Sequence, residues 1–247
     1  MTKPTTEYLI APMSAARGLT AQLTGLDHHG QRQVLDVVEE RPLTIFLNSQ
    51  EIVTAMTIGD YPEYLALGFL RNQGMLQADD QITDISFDEE LETIVVRTAR
   101  TTDYESKLQK KTRTSGCAVG TVFGDMMEGL EKVRLPRSDI KTSWLYTLAA
   151  AINRTPSLYL KAGAIHGTVL CHQDQPLVYM EDVGRHNAVD KVAGWMLSQS
   201  ITAEDKILYT TGRLTSEMVI KTAHMGIPIL ASRSGFTAWG VEIARQV

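Results

Sequence analysis

The chain has 247 residues, 43% of them hydrophobic and 21% charged, which is enough apolar material for a substantial core and excludes disorder as the default. Its 24 Lys and Arg against 29 Asp and Glu make it mildly acidic, which argues against a nucleic-acid binder with a general basic face. No apolar run reaches the roughly 20 residues that cross a bilayer, and the N-terminus lacks a secretory pattern, so a cytoplasmic protein with no membrane attachment is expected. Two cysteines in unlike surroundings argue against a disulfide framework or a thiolate metal cage.

Residues 1 to about 30 show no sustained periodicity. With the polar Asp27-His28-His29-Gly30 they read as a loosely held, partly mobile lead-in. Three strand-like runs follow, Val34–Val38, Leu43–Leu47 and Ile52–Met56, with Asn48-Ser49-Gln50 as a hairpin turn. Three antiparallel strands are the simplest reading. Asp60 and Pro62 stand in the cap and first-turn positions of a helix whose apolar face includes Leu65 and Phe69 and which stops at Gly74. Strands at Ile82–Phe87 and Glu92–Arg97 flank the acidic turn Asp88-Glu89-Glu90, so the first half reads as a small α+β unit.

Residues 103 to 116 carry Lys107, Lys110, Lys111 and Arg113 without a core signal and are a candidate linker or active loop. Beyond them the rhythm changes to alternation. Helix Trp144–Ile152, strands Gly167–Leu170 and Leu177–Met180, and helix Ala188–Leu197 are followed by strand Ile207–Thr210, helix Leu214–Met225, strand Pro228–Ala231 and helix Phe236–Arg245. That spacing implies a mixed, mostly parallel sheet covered by helices, in an α/β domain over 116–247 that follows an α+β subdomain over 1–115.

Three loops in this second half share one composition: Glu181-Asp182-Val183-Gly184-Arg185-His186-Asn187, Thr211-Gly212-Arg213, and Ser232-Arg233-Ser234-Gly235. Each sets glycine, arginine and usually a hydroxyl between the carboxyl end of a strand and the start of a helix, where open α/β sheets bind ligands. Free backbone N–H groups and the helix dipole favour an anion there, glycine permits close approach, and arginine grips phosphate with paired hydrogen bonds. One such loop means little, but three on one sheet edge point to a phosphate-bearing ligand.

Other residues keep two readings. Arg213, Glu217 and Lys221 are spaced by four and by themselves read as a solvated, salt-bridged stripe, with Glu217 placed to pair with both cations. Glu181 and Asp182 are a general acid/base pair or a helix-capping turn. His166 is a ligand contact or a satisfied interior histidine. Cys117, downstream of Lys110, Lys111 and Arg113, is an activated thiolate or a small buried hydrophobe, whereas Cys171 reads as a core strand position. The sequence has no phosphate loop, no G-x-G-x-x-G, no H-E-x-x-H and no G-x-S-x-G. It also lacks the zinc-deaminase pairing of H-x-E with P-C-x-x-C, so no protein-bound metal is expected.

Four stretches carry a resemblance: Tyr64–Leu70, Arg113-Thr114-Ser115-Gly116-Cys117, Glu181–Lys191 (EDVGRHNAVDK) and Gly212–Lys221 (GRLTSEMVIK). In these the sequence is similar to the FdhD family of formate dehydrogenase accessory sulfurtransferases. The resemblance implies a cytidine-deaminase-like second domain without the zinc site. It also implies a maturation factor that passes persulfide sulfur from a cysteine desulfurase to the bis-molybdopterin guanine dinucleotide cofactor, which the apo formate dehydrogenase then takes up. A homodimer and binding of GDP as a cofactor fragment are expected on the same basis, and the charge balance implies no nucleic-acid partner.

Cys117 matches the first cysteine of the family's C-x-x-C and is the expected catalytic residue; the position of the second is Gly120. The expected cofactor cradle comprises Arg113, His166, Glu181, Asp182, Gly184, Arg185, His186, Asn187, Lys191, Thr211, Gly212, Arg213, Ser216, Glu217, Lys221, Ser232, Arg233 and Ser234. One alternative is a non-enzymatic carrier of the same cofactor without sulfur transfer, and another is a divergent nucleotide-processing enzyme.

Overall fold

The computed structural model describes residues 7–13, 18–77, 79–100 and 130–247. It is a mixed α/β protein built on two four-stranded sheets and a separate hairpin. The hairpin pairs β1 (Thr20–Leu26) antiparallel with β2 (Arg32–Val38). The first sheet contains β3 (Arg41–Leu47), β4 (Gln50–Thr57), β5 (Ile82–Asp88) and β6 (Thr93–Thr98), in the order β4-β3-β6-β5.

Part of the expected lead-in is therefore a strand. Asp27 organises the turn between β1 and β2, its carboxylate accepting from the backbone N–H groups of His29 and Gln31 at 2.9 Å each. Pairing, not burial, defines this hairpin, since most of its residues are exposed and no periodicity shows in the sequence. The expectation of three consecutive antiparallel strands is corrected accordingly: β3 and β4 form a hairpin at Asn48 (φ 55°), but β2 pairs back to β1. Earlier still, Leu9 and Ile10 attach to the edge of the second sheet through bonds with Leu177 and Tyr179.

Helix α1 (Pro62–Asn72) buries Leu65, Ala66, Phe69 and Leu70 against the first sheet. Proline opens its first turn as expected, but the residue at the N-cap is Tyr61 in a left-handed conformation with no side-chain cap. Asp60 does not cap the helix, because its carboxylate is drawn to Lys191.

The second half holds α2 (Thr142–Ile152), a short α3 (Leu158–Ala162) with no counterpart among the expected elements, β7 (His166–His172), β8 (Gln175–Asp182) and α4 (Arg185–Ser198). It continues through β9 (Lys206–Thr210), α5 (Ser216–His224), β10 (Ile229–Ser232) and α6 (Ala238–Gln246). The sheet order is β10-β9-β7-β8. It is mixed, but the expectation that it is mostly parallel is corrected: only β9 and β10 pair in parallel. The physical reason is the short turn at Gln173 (φ 54°), which forces β7 and β8 into a hairpin and sets β7 antiparallel between β8 and β9. Strands β8, β9 and β10 still run the same way, so the loops that follow them leave from one end of the sheet, where β7 begins.

Helices α4 and α5 pack on one face of this sheet through Val189, Val192, Met218 and their neighbours, and α2 covers the other through Leu148 and Ile152. The halves meet where α1 crosses α4 at backbone contact. A Cβ on Gly68 would lie 1.7 Å from the Asp190 carbonyl oxygen, and one on Gly194 would lie 1.9 Å from that of Tyr64. No described helix is long and apolar enough to cross a membrane. The expected boundary at 115/116 lies outside the described residues.

Candidate functional site

At the end of the second sheet the starting residue of β7 meets the loops after β8, β9 and β10. His166 Nδ1 is 3.4 Å from the Thr211 hydroxyl, which also accepts from the Gly167 N–H at 3.0 Å. The Thr211 N–H returns a bond to the Gly167 carbonyl at 2.9 Å, so the β9 loop is tied to the start of β7. Gly212 is needed for contact: its Cβ would stand 3.0 Å from Cβ and Cδ of Arg185, whose side chain crosses from the β8 loop. Ser232 donates to the Gly212 carbonyl at 2.7 Å and accepts from the Ser234 N–H at 2.9 Å, which ties in the β10 loop.

These contacts bring His166, Arg185, Thr211, Gly212, Ser232 and Ser234 together with the exposed Arg213. Burial holds His166 below the ordinary histidine pKa, and the neighbouring Arg185, His186 and Arg213 act in the same direction. A mouth with two arginines, a neutral histidine, hydroxyls and the start of α4 can receive an anion of diphosphate type.

Several expected cradle residues serve the framework instead. Glu181 is 3% exposed and caps α3, its carboxylate accepting from the N–H groups of Leu158 and Tyr159 at 2.9 Å each. It caps α3 and not the helix that follows it in the chain, and burial pushes its pKa above the usual carboxylate range, against these bonds. Asp182 accepts from the Thr57 hydroxyl at 2.5 Å and from Asn187 at 3.0 Å, and pairs with Lys191 at 2.5 Å. Asn187 also donates to the Met56 carbonyl at 2.7 Å, and Gly184 is the N-cap of α4, its N–H on Asp182 at 3.2 Å.

Lys191 is fully buried between Asp182 and Asp60 and donates to the Glu181 carbonyl at 3.0 Å. Burial alone would lower its pKa, but the two carboxylates outweigh it and hold the ammonium charged, above the ordinary lysine value.

The stripe on α5 is not a solvated one. Lys221 is 3% exposed and pairs with Asp190 at 2.6 Å, while Glu217 faces His186 Nε2 at 3.1 Å. Ser216 is buried in the first turn of α5. Arg233 turns to α2 and α3, donating to Asn153 Oδ1 at 2.8 Å and to the Tyr159 hydroxyl, and lying 4.6 Å above the Tyr159 ring. Cys171 is a buried core residue, as expected, and burial raises its thiol pKa far above the ordinary value. Cys117 and Arg113 lie outside the described residues.

Sequence reasoning missed Asp60, Thr57 and Asp190. Only Asp190 left a signal, as the residue four beyond His186 on the same helical face. Thr210 was also missed, although its hydroxyl accepts from the Gly212 N–H at 3.1 Å and shapes the β9 loop.

Comparisons with known proteins identify the family of the chain. A solved structure described as a putative formate dehydrogenase accessory protein from Desulfotalea psychrophila superposes with a TM-score of 0.71 at 29% identity, covering 92% of this chain and 88% of that one. The sulfur carrier protein FdhD of Bacillus pumilus is 29% identical over 214 residues, 86% of this chain and 82% of that protein. The protein of the same name from Bacillus subtilis is also 29% identical over 214 residues, 85% and 81% of the two chains. The FdhD/NarQ family model matches residues 38–247, and the chain belongs to that family.

Proposed function

We propose that this protein is a maturation factor for formate dehydrogenase that carries sulfur and holds the bis-molybdopterin guanine dinucleotide cofactor as its cargo. The observation that carries the reading is the convergence of Arg185, Arg213, His166 and the hydroxyl-bearing loops at one sheet end. It stands in a chain whose relatives are named sulfur carrier proteins and a formate dehydrogenase accessory protein. The donor set fits the diphosphate of a guanine dinucleotide: planar guanidinium groups give paired hydrogen bonds, and the start of α4 adds its dipole.

In this reading Cys117 is the sulfur carrier. Its thiolate attacks the terminal sulfur of a cysteine desulfurase persulfide, forming the Cys117 S–S bond as the desulfurase S–S bond breaks. The desulfurase cysteine leaves as a thiolate. With Gly120 in place of a second motif cysteine, the relay uses one thiol. Incubation of the full chain with a cysteine desulfurase and cysteine should add about 32 Da, one sulfur atom, at Cys117. Absence of that adduct would overturn the sulfur-carrying part.

The missing second cysteine also favours a second reading, a carrier that delivers the cofactor without transferring sulfur. Cys117→Ala in a strain lacking its own accessory protein separates the two. A pure carrier retains formate dehydrogenase maturation and a sulfur donor loses it.

A further inference from the structure

The hairpin of β1 and β2 is a two-stranded sheet by itself, joined to neither of the four-stranded sheets. Sheets of two strands are marginal in water without further cover. The base of this one is held to the rest of the protein through Leu19 and Val38, which pack with Leu158 and Ile165, and through Lys161 of α3, which donates to the Thr20 hydroxyl at 3.2 Å. Its outer part is left in water: Leu23, Leu26, Val34 and Leu35 are each more than half exposed. The family match begins at Val38, the last residue of β2, so these four aliphatic side chains lie ahead of the matched stretch.

The outer edge of β2 is open. Its seven pairs with β1 run from Arg32 to Val38 without a register break, and among the described residues no strand pairs with its other side. Edge strands are normally kept from other chains by lysine, proline or a bulge. Strand β2 has none of these, and its centre, Gln33-Val34-Leu35, is uncharged. Residues two apart share a face, so Arg32, Val34 and Asp36 form one row, and Leu35 stands with Leu23 on the other face. A strand that pairs antiparallel with a copy of itself about a two-fold axis keeps this facing only if the axis passes through a residue. An axis through Val34 sets Arg32 opposite Asp36 of the second copy on both sides of a Val34 pair. An axis through Leu35 sets Val34 opposite Asp36 and leaves Arg32 facing Val38, so charge selects the first register. Within its own chain Asp36 has a loose contact with Lys161 at 4.0 Å, and its carboxylate can take a second cation.

We propose that β2 is the surface through which two copies of this chain join, the two β2 strands forming the central pair of a four-stranded antiparallel sheet with its two-fold axis at Val34. The pairing satisfies the free main-chain groups of both β2 strands and sets the Leu23–Leu35 pairs of both copies on one face of the joint sheet. It goes beyond the function proposed above and does not depend on what the mouth binds.

Analytical ultracentrifugation of the full chain across the micromolar range tests it, with circular dichroism to show that each variant is folded. The wild type should sediment as a dimer. Val34→Glu sets two carboxylates against each other on the axis and should weaken association by at least roughly tenfold. Because Val34 is exposed in the single chain, that variant keeps its fold. Arg32→Asp should weaken association as well, and adding Asp36→Arg should restore it, since the swap exchanges both partners of each pair. Thr24→Glu puts the same charge on the outer strand β1 and should leave association unchanged. A monomeric wild type, a dimer that withstands Val34→Glu, or a charge swap that fails to restore association each overturns the proposal. A monomeric wild type whose β2 amides gain protection from hydrogen exchange only when a cysteine desulfurase is added would overturn it in favour of a strand of that partner.

Discussion

The buried charged seam under α4 and the open mouth at the end of β7–β10 are drawn largely from the same two runs, 181–191 and 212–221, yet they are built in opposite ways. In the seam, the buried Lys191 spans Asp182 and the half-buried Asp60, and the buried Lys221 pairs with the buried Asp190. At the mouth, Arg213 and Ser234 remain exposed, and the groups beside them are tied by neutral hydrogen bonds. Cations that look alike in the sequence are thus divided by burial into struts, of which Lys191 reaches Asp60 of the first half and Lys221 holds α5 to α4, and groups left exposed at the mouth.

The largest effects should come from breaking the seam. Lys191→Met strands two buried carboxylates and should cost about 3–5 kcal/mol, read from the denaturant midpoint at constant slope. Gly68→Ala forces a methyl group into the Asp190 carbonyl and should cost about 3 kcal/mol, with both halves unfolding in one transition. Two separate transitions would show that the seam does not couple the halves.

Acidification should act next. His186 is held below its ordinary pKa of 6.5 chiefly by burial. Below that value the unfolded chain takes up a proton that the folded chain does not, so the stabilising contribution is complete above pH 6.5 and is lost as pH falls toward the folded-state value. Thermal midpoints should drop over that range in the wild type and less in His186→Gln. The smallest stability change belongs to the mouth: Arg213→Ala should alter stability by no more than about 0.5 kcal/mol yet weaken pyrophosphate binding roughly tenfold. A destabilised but fully binding variant would reverse the division drawn here.

How much of this was legible follows the same line. Strand β3 announced itself by alternating burial, and α1, α4, β8 and β9 by nearly continuous buried runs. Strand β1 did not, because it is held by pairing to β2 with little burial. Helix α3 spans five residues, too short for a period, and its N-terminus is fixed by Glu181 from a strand distant in sequence. The three loops were correctly placed at one sheet end, although the parallel pairing inferred for them holds only between β9 and β10.

The site was harder to read than the fold. The resemblance set Lys191, Asp182 and Lys221 beside Arg185 and Arg213 as cradle residues, and nothing local to a lysine reveals whether a carboxylate from another element will meet it. Asp60 shows this from the other side: it stands where a cap should, and only the arrival of Lys191 gives its carboxylate a different use.

The crossing of α1 and α4 also constrains how the chain reaches its final form. The surface around Gly68 has no partner until residues far later in the sequence have been made and folded, because the atoms it touches belong to Asp190 and Gly194. Docking of the two helices is therefore a late event of high sequence separation, slow compared with closing any of the β-hairpins. A chain stalled during synthesis before α4 would present the glycine face of α1 uncovered, in the form most open to capture by a chaperone or to misassembly.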